Sequence, residues 1–205
     1  VLNARDAGLS VDASGSTATI VQAVRLQVSG DSIDFGTTTS AVRLAAAGTS
    51  NVALLISESD FSGTSAAGVD VVATNSAQVE TRLLISRINN GNAGGVHFDI
   101  QDTASGDLTL VANDLSSLLD AAIDVAASTS GKIHGRIADN VMNSAFGSSS
   151  VAITSSDASQ IRLDYSGNDL SQTGGDGMSV HAQGASYLSL TLRNSRFNAI
   201  GGQAL

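Results

Sequence analysis

Apolar and polar residues alternate along the segment 95–115 in a way that predicts two short β-strands. Val96, Phe98 and Ile100 share one face of the first strand. Leu108 and Leu110 share one face of the second strand, which follows a polar turn. Alternation with period two, bounded by Gly, Asn, Asp and Ser, is typical of a strand that buries one face. The segment therefore predicts one strand–turn–strand unit.

The same unit recurs along the chain with a nearly constant spacing. A small residue, an apolar residue, a variable residue and a second apolar residue begin the first strand of each unit, at positions 41, 68, 95, 122, 150 and 177. The second strand repeats with the same period, as an apolar residue, a polar residue three positions later and an apolar residue two positions beyond that. A fixed period of about 27 residues indicates a repeat architecture, and units made of strands predict an all-β solenoid.

Two columns follow from stacking the second strands. The polar position predicts a corner column, because Asn and Asp tolerate left-handed backbone and stacked Asn side chains bond from rung to rung. The apolar position after it predicts core. The predicted polar column is Asp31, Ser59, Asn113, Asn140, Asn168 and Ser195. The predicted apolar column is Ile33, Phe61, Leu115, Met142, Leu170 and Phe197. The unit at 85–90 is the irregular member, with its Asn displaced by one position.

These periods predict one domain over 1–205, with an irregular segment over 1–16 and repeats over 17–205. We expect roughly seven to eight coils of a parallel β-helix. Gly8–Val11 is the candidate first strand, and it precedes its successor at position 41 by more than one period, so an insertion or a cap is expected between them. Ala204-Leu205 fits the opening of a further unit, so we expect the chain to end within a coil.

The Val/Ile/Leu-x-x-Asn-x-Leu-Ser/Asn unit at 110–116, 137–143 and, with Tyr at its first position, 165–171 resembles the repeat of right-handed parallel β-helix proteins. It is similar in particular to the arrays of secreted bacterial surface proteins, including autotransporter passengers and adhesins. The resemblance covers about residues 24–205 and implies a right-handed coil and a secreted or cell-surface location. The same fold carries pectate lyases, polygalacturonases and phage tailspikes, so the resemblance leaves the activity open.

Composition narrows the possible partners. The net charge is −9 and Lys132 is the one lysine, so a basic footprint for nucleic acid is not expected. No apolar run reaches the length of a membrane span, so membrane insertion is not expected either. The absence of cysteine excludes disulfides and thiolate metal sites.

Outward residues of successive first strands are expected to stack about 4.8 Å apart. One predicted column is Arg43, Asp70, His97, Asp124, Ala152 and Ser179. The column beside it is Ala45, Val72, Asp99, Ala126, Thr154 and His181. Together they predict one acidic group, called here the His97 cluster, which consists of Asp70, His97, Asp99 and Asp124.

Three interpretations of the His97 cluster stay open. In the first, it is a solvated charge ladder that contributes little to stability. In the second, it binds a cation such as Ca²⁺, with Asp70, Asp99 and Asp124 as candidate metal ligands. In the third, it performs acid/base catalysis on a glycan. In the third case Asp70 and Asp124 are expected about 9–10 Å apart, near the upper end of the inverting-glycosidase range. The Gly-His-Gly and Arg-x-Lys motifs of polygalacturonases are absent, as is Trp, which weighs against catalysis.

Outward residues of the second strands form two further predicted columns. The first is Arg25, Ala53, Arg82, Asp107, His134, Arg162 and Ser189. The second is Gln27, Leu55, Leu84, Thr109, Arg136, Asp164 and Thr191. They predict cross-rung pairs between Arg82 and Asp107 and between Arg136 and Asp164, and an apolar contact patch where Leu55 adjoins Leu84.

The function these observations favour is non-catalytic. We expect an extracellular structural or adhesive segment of a bacterial surface protein or fibre, which contacts neighbouring repeats or associates with itself end to end. No cofactor is required, and Ca²⁺ is the one candidate. The alternative is a carbohydrate-active enzyme or tailspike-like glycan binder that uses the His97 cluster, with surface glycans as partners.

Overall fold

A computed structural model describes residues 7–16, 18–29, 40–89 and 93–205. Within these residues the secondary structure consists of β-strands. A complete turn of the chain has three strands, and the turn that contains residues 96–111 has two. The strands, in chain order, are β1 (Ala7–Ala13), β2 (Ala18–Val24), β3 (Gln27–Ser29), β4 (Ser40–Ala46), β5 (Asn51–Ser57), β6 (Asp60–Ser62), β7 (Val69–Ala73), β8 (Gln78–Leu84), β9 (Arg87–Asn89), β10 (Val96–Ile100), β11 (Ser105–Val111), β12 (Ile123–Ala127), β13 (Lys132–Ala138), β14 (Val141–Asn143), β15 (Ser149–Ser155), β16 (Gln160–Ser166), β17 (Asp169–Ser171), β18 (Asp176–Ala182), β19 (Tyr187–Arg193) and β20 (Arg196–Asn198).

All strand pairs are parallel, and they build two long sheets and a third, short-stranded side. Sheet A has the order β1-β4-β7-β10-β12-β15-β18, and sheet B has the order β2-β5-β8-β11-β13-β16-β19. The third side consists of β3-β6-β9 and β14-β17-β20, joined by isolated bridges from Asp114 to Arg87 and Val141. The described chain is therefore an all-β parallel solenoid of about six turns, slightly fewer than predicted. The right-handed sense of the coil stays a prediction.

The strand register confirms the predicted period. His97 pairs with Asp70 at a separation of 27 residues, and the neighbouring Val96 pairs with Val69 on one side and with Ile123 on the other. Met142 pairs with Leu170 at a separation one residue longer than that between Ser149 and Asp176. The single extra residue therefore lies in the turn between β14 and β15.

The first turn is longer than the others, as the sequence predicted. Leu26 N–H donates to Ser59 Oγ across a separation of 33 residues. The pairs Leu9–Val42 and Gln27–Asp60 have this same long separation, whereas Val42 pairs with Val69 at the ordinary period. Gly8–Val11 does form part of the first strand, β1. The extra residues lie between β3 and β4, within 30–39, which fall outside the described residues.

Polar side chains form a continuous corner ladder on the buried side of the turn after sheet B. Asn140 shows the pattern, since its Nδ2 donates to Asn168 Oδ1 at 2.9 Å and to the Leu110 carbonyl at 3.0 Å. Its own Oδ1 accepts from the backbone N–H of Asn113 at 3.0 Å. Each Asn thus satisfies buried backbone groups of a neighbouring turn. The ladder consists of Ser59, Ser86, Asn113, Asn140, Asn168 and Ser195.

This ladder corrects two predictions about the corner. Ser86 occupies the polar position, where its Oγ accepts from Ser59 N–H and its own N–H donates to Asn113 Oδ1, so the unit at 85–90 is regular. In the first turn Val28 pairs with Phe61, so the first member of the predicted apolar column is wrong. The predicted positions 31 and 33 lie outside the described residues. Leu26 holds the polar position there, through its bond to Ser59.

The predicted outward columns of sheet B are correct at Ala53, at Leu55 and from Asp107 and Thr109 onward, and they are wrong at their first and third members. Ala53 pairs with Glu80, and Leu55 pairs with Arg82 rather than with Leu84. The predicted Arg82–Asp107 pair is therefore wrong, and Arg82 Nη2 instead lies 2.5 Å from Glu80 Oε1. Leu55 and Leu84 are not in register, although both line one cavity on the outward side of sheet B. A shift by two positions leaves the same side chains outward, so alternation alone does not detect it. The corrected columns are Ile20, Ala53, Glu80, Asp107, His134, Arg162 and Ser189, and Gln22, Leu55, Arg82, Thr109, Arg136, Asp164 and Thr191.

Inward side chains of the three sides fill the interior of the coil. Phe98, Leu110 and Tyr165 are fully buried, and the Tyr165 hydroxyl lies 4.0 Å from the sulfur of Met142. Burial of such side chains supplies the main driving force for stacking the turns. The described residues include no helix long and apolar enough to cross a membrane.

Candidate functional site

The outward column of sheet A has the predicted order. Asp70 pairs in register with Arg43 and His97, and His97 pairs with Asp124 on its other side. Asp99 lies two positions beyond His97 on β10, in register with Val72 and Ala126. Strand alternation projects these side chains outward because Val96, Phe98 and Ile100 occupy the core.

His97 lies between two carboxylates. Its Nδ1 is 2.8 Å from Asp70 Oδ1, and its Nε2 is 3.9 Å from Asp124 Oδ2. The hydrogen bond with Asp70 raises the pKa of His97 above its ordinary value, against the opposing effect of partial burial. Burial raises the pKa of Asp124, partly offset by the positive charge of His97. The charges of His97 and Asp124 therefore influence each other's pKa.

Asp99 is not bonded to His97. Its Oδ2 accepts a hydrogen bond from Gln101 Nε2 at 2.5 Å. Of the three predicted metal ligands, Asp70 and Asp124 therefore lie beside His97, whereas Asp99 is bonded to Gln101. Among the described residues, no three His, Cys, Asp or Glu side chains are grouped so that they could hold a metal ion. Cation binding by this trio stays a prediction.

The arrangement can hold and pass a proton. Asp70 fixes one imidazole nitrogen, which leaves the other nitrogen toward Asp124 and solvent. A carboxylate–imidazole–carboxylate column is suited to general acid/base work or to a pH-dependent ion pair. The roles of Asp70, His97, Asp99 and Asp124 in catalysis or binding stay predictions.

Sequence reasoning did not single out an open groove that lies on sheet B. It has a volume of about 440 Å³ and follows the outward side of β11, β13, β16 and β19. Exposed basic residues line this groove and the cavity beside it, and they are called here the basic face: Lys132, His134, Arg136 and Arg162. The alternation of Lys132, His134 and Arg136 with Ile133 and Ile137 was the signal available in the sequence.

Strand order and register define this chain as a parallel β-solenoid protein. No protein-family model, no curated protein and no solved structure matched the chain. The class therefore rests on the register and the core described above.

Proposed function

We propose that this chain is a non-catalytic segment of an extracellular β-solenoid rod, with a structural or adhesive role in a bacterial surface protein or fibre. In this role the chain contacts neighbouring repeats or associates with a second copy end to end. The composition supports a secreted location, because the Gly-, Ser-, Asn- and Thr-rich units resemble the arrays of secreted bacterial surface proteins.

The regular parallel stacking of the turns carries this proposal, because stacked repeats form a rod whose apolar columns run from turn to turn. Val180 continues the inward column of Val125 and Ile153, yet it is 39% exposed where Ile153 is 1% exposed. Leu192 follows Tyr165 in the same way and is 38% exposed. Hydrophobic columns of this kind are stabilised when another rung covers them.

The backbone of the last turn is also available for pairing. β18, β19 and β20 are edge strands in the described structure, so each presents N–H and C=O groups on one side. The start of β18 is already paired, since Met178 N–H donates to the Ala204 carbonyl at 3.1 Å. The segment after β20 thus bonds to the start of β18 through the backbone.

Sedimentation of the purified chain over a range of concentrations tests the proposal. We expect reversible association, and we expect Val180→Lys to weaken it at least about tenfold, because stacking would bury the new charge. Ser179→Lys is the matched control, since it adds the same charge to the outward side of the same strand. A chain that stays monomeric at every concentration, or equal effects of the two variants, would contradict end-to-end association.

A second candidate is glycan cleavage at the His97 cluster, and the 2.8 Å contact between Asp70 and His97 favours it. Release of reducing ends from polygalacturonate and from bacterial surface polysaccharides would measure this activity. If it exists, Asp70→Asn should abolish it and Arg43→Gln, one rung away, should leave it intact. An inactive wild-type chain would eliminate this candidate. Ca²⁺ binding by the same carboxylates predicts a Tm that falls on chelation.

A further inference from the structure

The basic face owes its composition to β13. Lys132, His134 and Arg136 alternate with residues that face the core, so all three side chains project to the same side of sheet B. Arg162 lies beside His134 on the next strand, in register. This concentration of positive charge occurs in a chain whose net charge is −9.

Among the described residues, two carboxylates also line the groove: Asp107, in register with His134, and Asp164. Lys132, Arg136 and Arg162 form no ion pair there, although Asp164 is in register with Arg136. Asp164 is instead engaged by Arg193, whose Nη2 lies 2.9 Å from Asp164 Oδ2. The Arg162 guanidinium lies over the Tyr187 ring, 5.3 Å from its centroid, which orients it without neutralising it.

The groove beside these cations offers hydroxyl groups as well as charge. Thr109, Ser189 and Thr191 line it together with the guanidinium-bearing Arg136 and Arg162. Hydroxyl groups donate and accept hydrogen bonds, and guanidinium groups bind oxyanions in a bidentate manner. From this combination we propose that the basic face binds a short acidic oligosaccharide, recognised through its carboxylate or sulfate groups.

Other polyanions fit this face less well. A peptide anchor requires a buried apolar pocket, whereas charged and hydroxyl side chains provide most of the side-chain lining of this groove. A long nucleic acid would extend over the rest of an acidic surface and be repelled by it. A short oligosaccharide stays within about 10 Å of the cations, which is shorter than the Debye length at low ionic strength.

Calorimetric titration of the folded chain at low ionic strength tests the assignment. The probes are a sulfated dextran oligosaccharide, a polygalacturonate oligosaccharide, and neutral dextran of the same length. We expect one or both acidic probes to bind and the neutral probe not to bind, and the acidic probe that binds identifies the anionic group. Arg136→Gln and Arg162→Gln should each weaken binding about tenfold, as expected for the loss of a charge-assisted hydrogen bond.

Arg82→Gln is the matched control. Arg82 lies in the same outward column as Arg136, but it is bonded to Glu80 and lies outside the groove. Its substitution should leave the affinity unchanged. The assignment is overturned if no acidic probe binds, if neutral dextran binds equally, or if Arg82→Gln weakens binding as much as Arg136→Gln. Polyglutamate that binds as tightly as the saccharides would instead identify an acidic peptide as the partner.

Discussion

His97 makes the stability of sheet A dependent on pH. Its pKa is raised in the folded chain above the ordinary value of 6.5, so the stabilisation is fully present below 6.5 and is lost as the pH rises through the raised value. The raised pKa of Asp124 also makes the free energy of unfolding fall as the pH rises, but in a lower pH range. We expect the free energy of unfolding to fall by up to about 1 kcal/mol across the His97 transition, since the pair is partly exposed.

Chemical denaturation at one pH below 6.5 and at another well above it measures this fall. His97→Gln should remove most of the pH dependence in that range. His134→Gln, an exposed histidine on sheet B, is the control and should leave the dependence as it is in the wild-type chain. A dependence that persists unchanged in His97→Gln would show that another group titrates.

Among the residues of the corner ladder, Asn140 is the one whose substitution should lower the free energy of unfolding most. Its side chain donates to Asn168 and to the Leu110 carbonyl, and it accepts from Asn113 in a fully buried position. Asn140→Ala leaves these groups unsatisfied, so we expect a loss of about 3 kcal/mol in the free energy of unfolding.

Urea denaturation measures this loss. Ser195→Ala, at the partly exposed end of the same ladder, removes bonds to Asn168 N–H and to the Arg193 carbonyl and should cost about 1 kcal/mol. Equal costs at the two positions would argue that the ladder does not depend on burial.

At the scale of the strand, the sequence predicted sheet A better than sheet B. Units from 41 to 124 have one uniform period, so subtraction alone placed Asp70, His97 and Asp124 in one column. In sheet B the polar marker of the unit at 83–88 is Ser86 rather than Asn, and the register was assigned to the wrong polar residue. An error of two positions keeps every side chain on its predicted face, so the hydrophobic alternation could not reveal the error.

The turns allow a sharper test of stacking than the strands. A β-carbon at Gly131 would lie 2.3 Å from the Ile100 carbonyl oxygen, which belongs to the backbone of the adjacent turn. At Gly135, within β13, the nearest atom is the end of the flexible Leu163 side chain, at 2.5 Å. We expect Gly131→Ala to cost about 3 kcal/mol and Gly135→Ala about 1 kcal/mol, because a side chain can move aside and a stacked backbone cannot.

Thermal and urea unfolding of the two alanine variants measure this difference. If Gly135→Ala is the more damaging, the two turns do not approach as closely at Gly131 as the register requires.

For the candidate site, the sequence could place residues in columns but could not assign their bonds. The position of His97 between Asp70 and Asp124 follows from the repeat, whereas the 2.8 Å contact depends on the side-chain rotamers. The basic face shows the reverse case. Its columns from Asp107 onward were predicted correctly, yet its character depends on Arg193 engaging Asp164 from the next turn, a contact that no spacing in the sequence indicates.

For the whole molecule, regular stacking has one structural consequence. Each turn contacts only its neighbours, so the cost of an uncovered end falls on the last turn and not on the interior. Val180 and Leu192 are accordingly exposed while their equivalents one turn earlier are buried. The proposed end-to-end association would bury these two side chains.

The central claim is that residues one repeat period apart lie directly over one another, and paired cysteines test it most directly. The chain has no native cysteine, so any disulfide is unambiguous. Ala152 and Ser179 are outward neighbours in register on β15 and β18, whereas Asp124 lies two rungs from Ser179. In dilute solution the account predicts that the Ala152→Cys/Ser179→Cys chain forms an intramolecular disulfide on mild oxidation, and that Asp124→Cys/Ser179→Cys does not. Failure of the first pair to cross-link, or equal cross-linking of both, would contradict it.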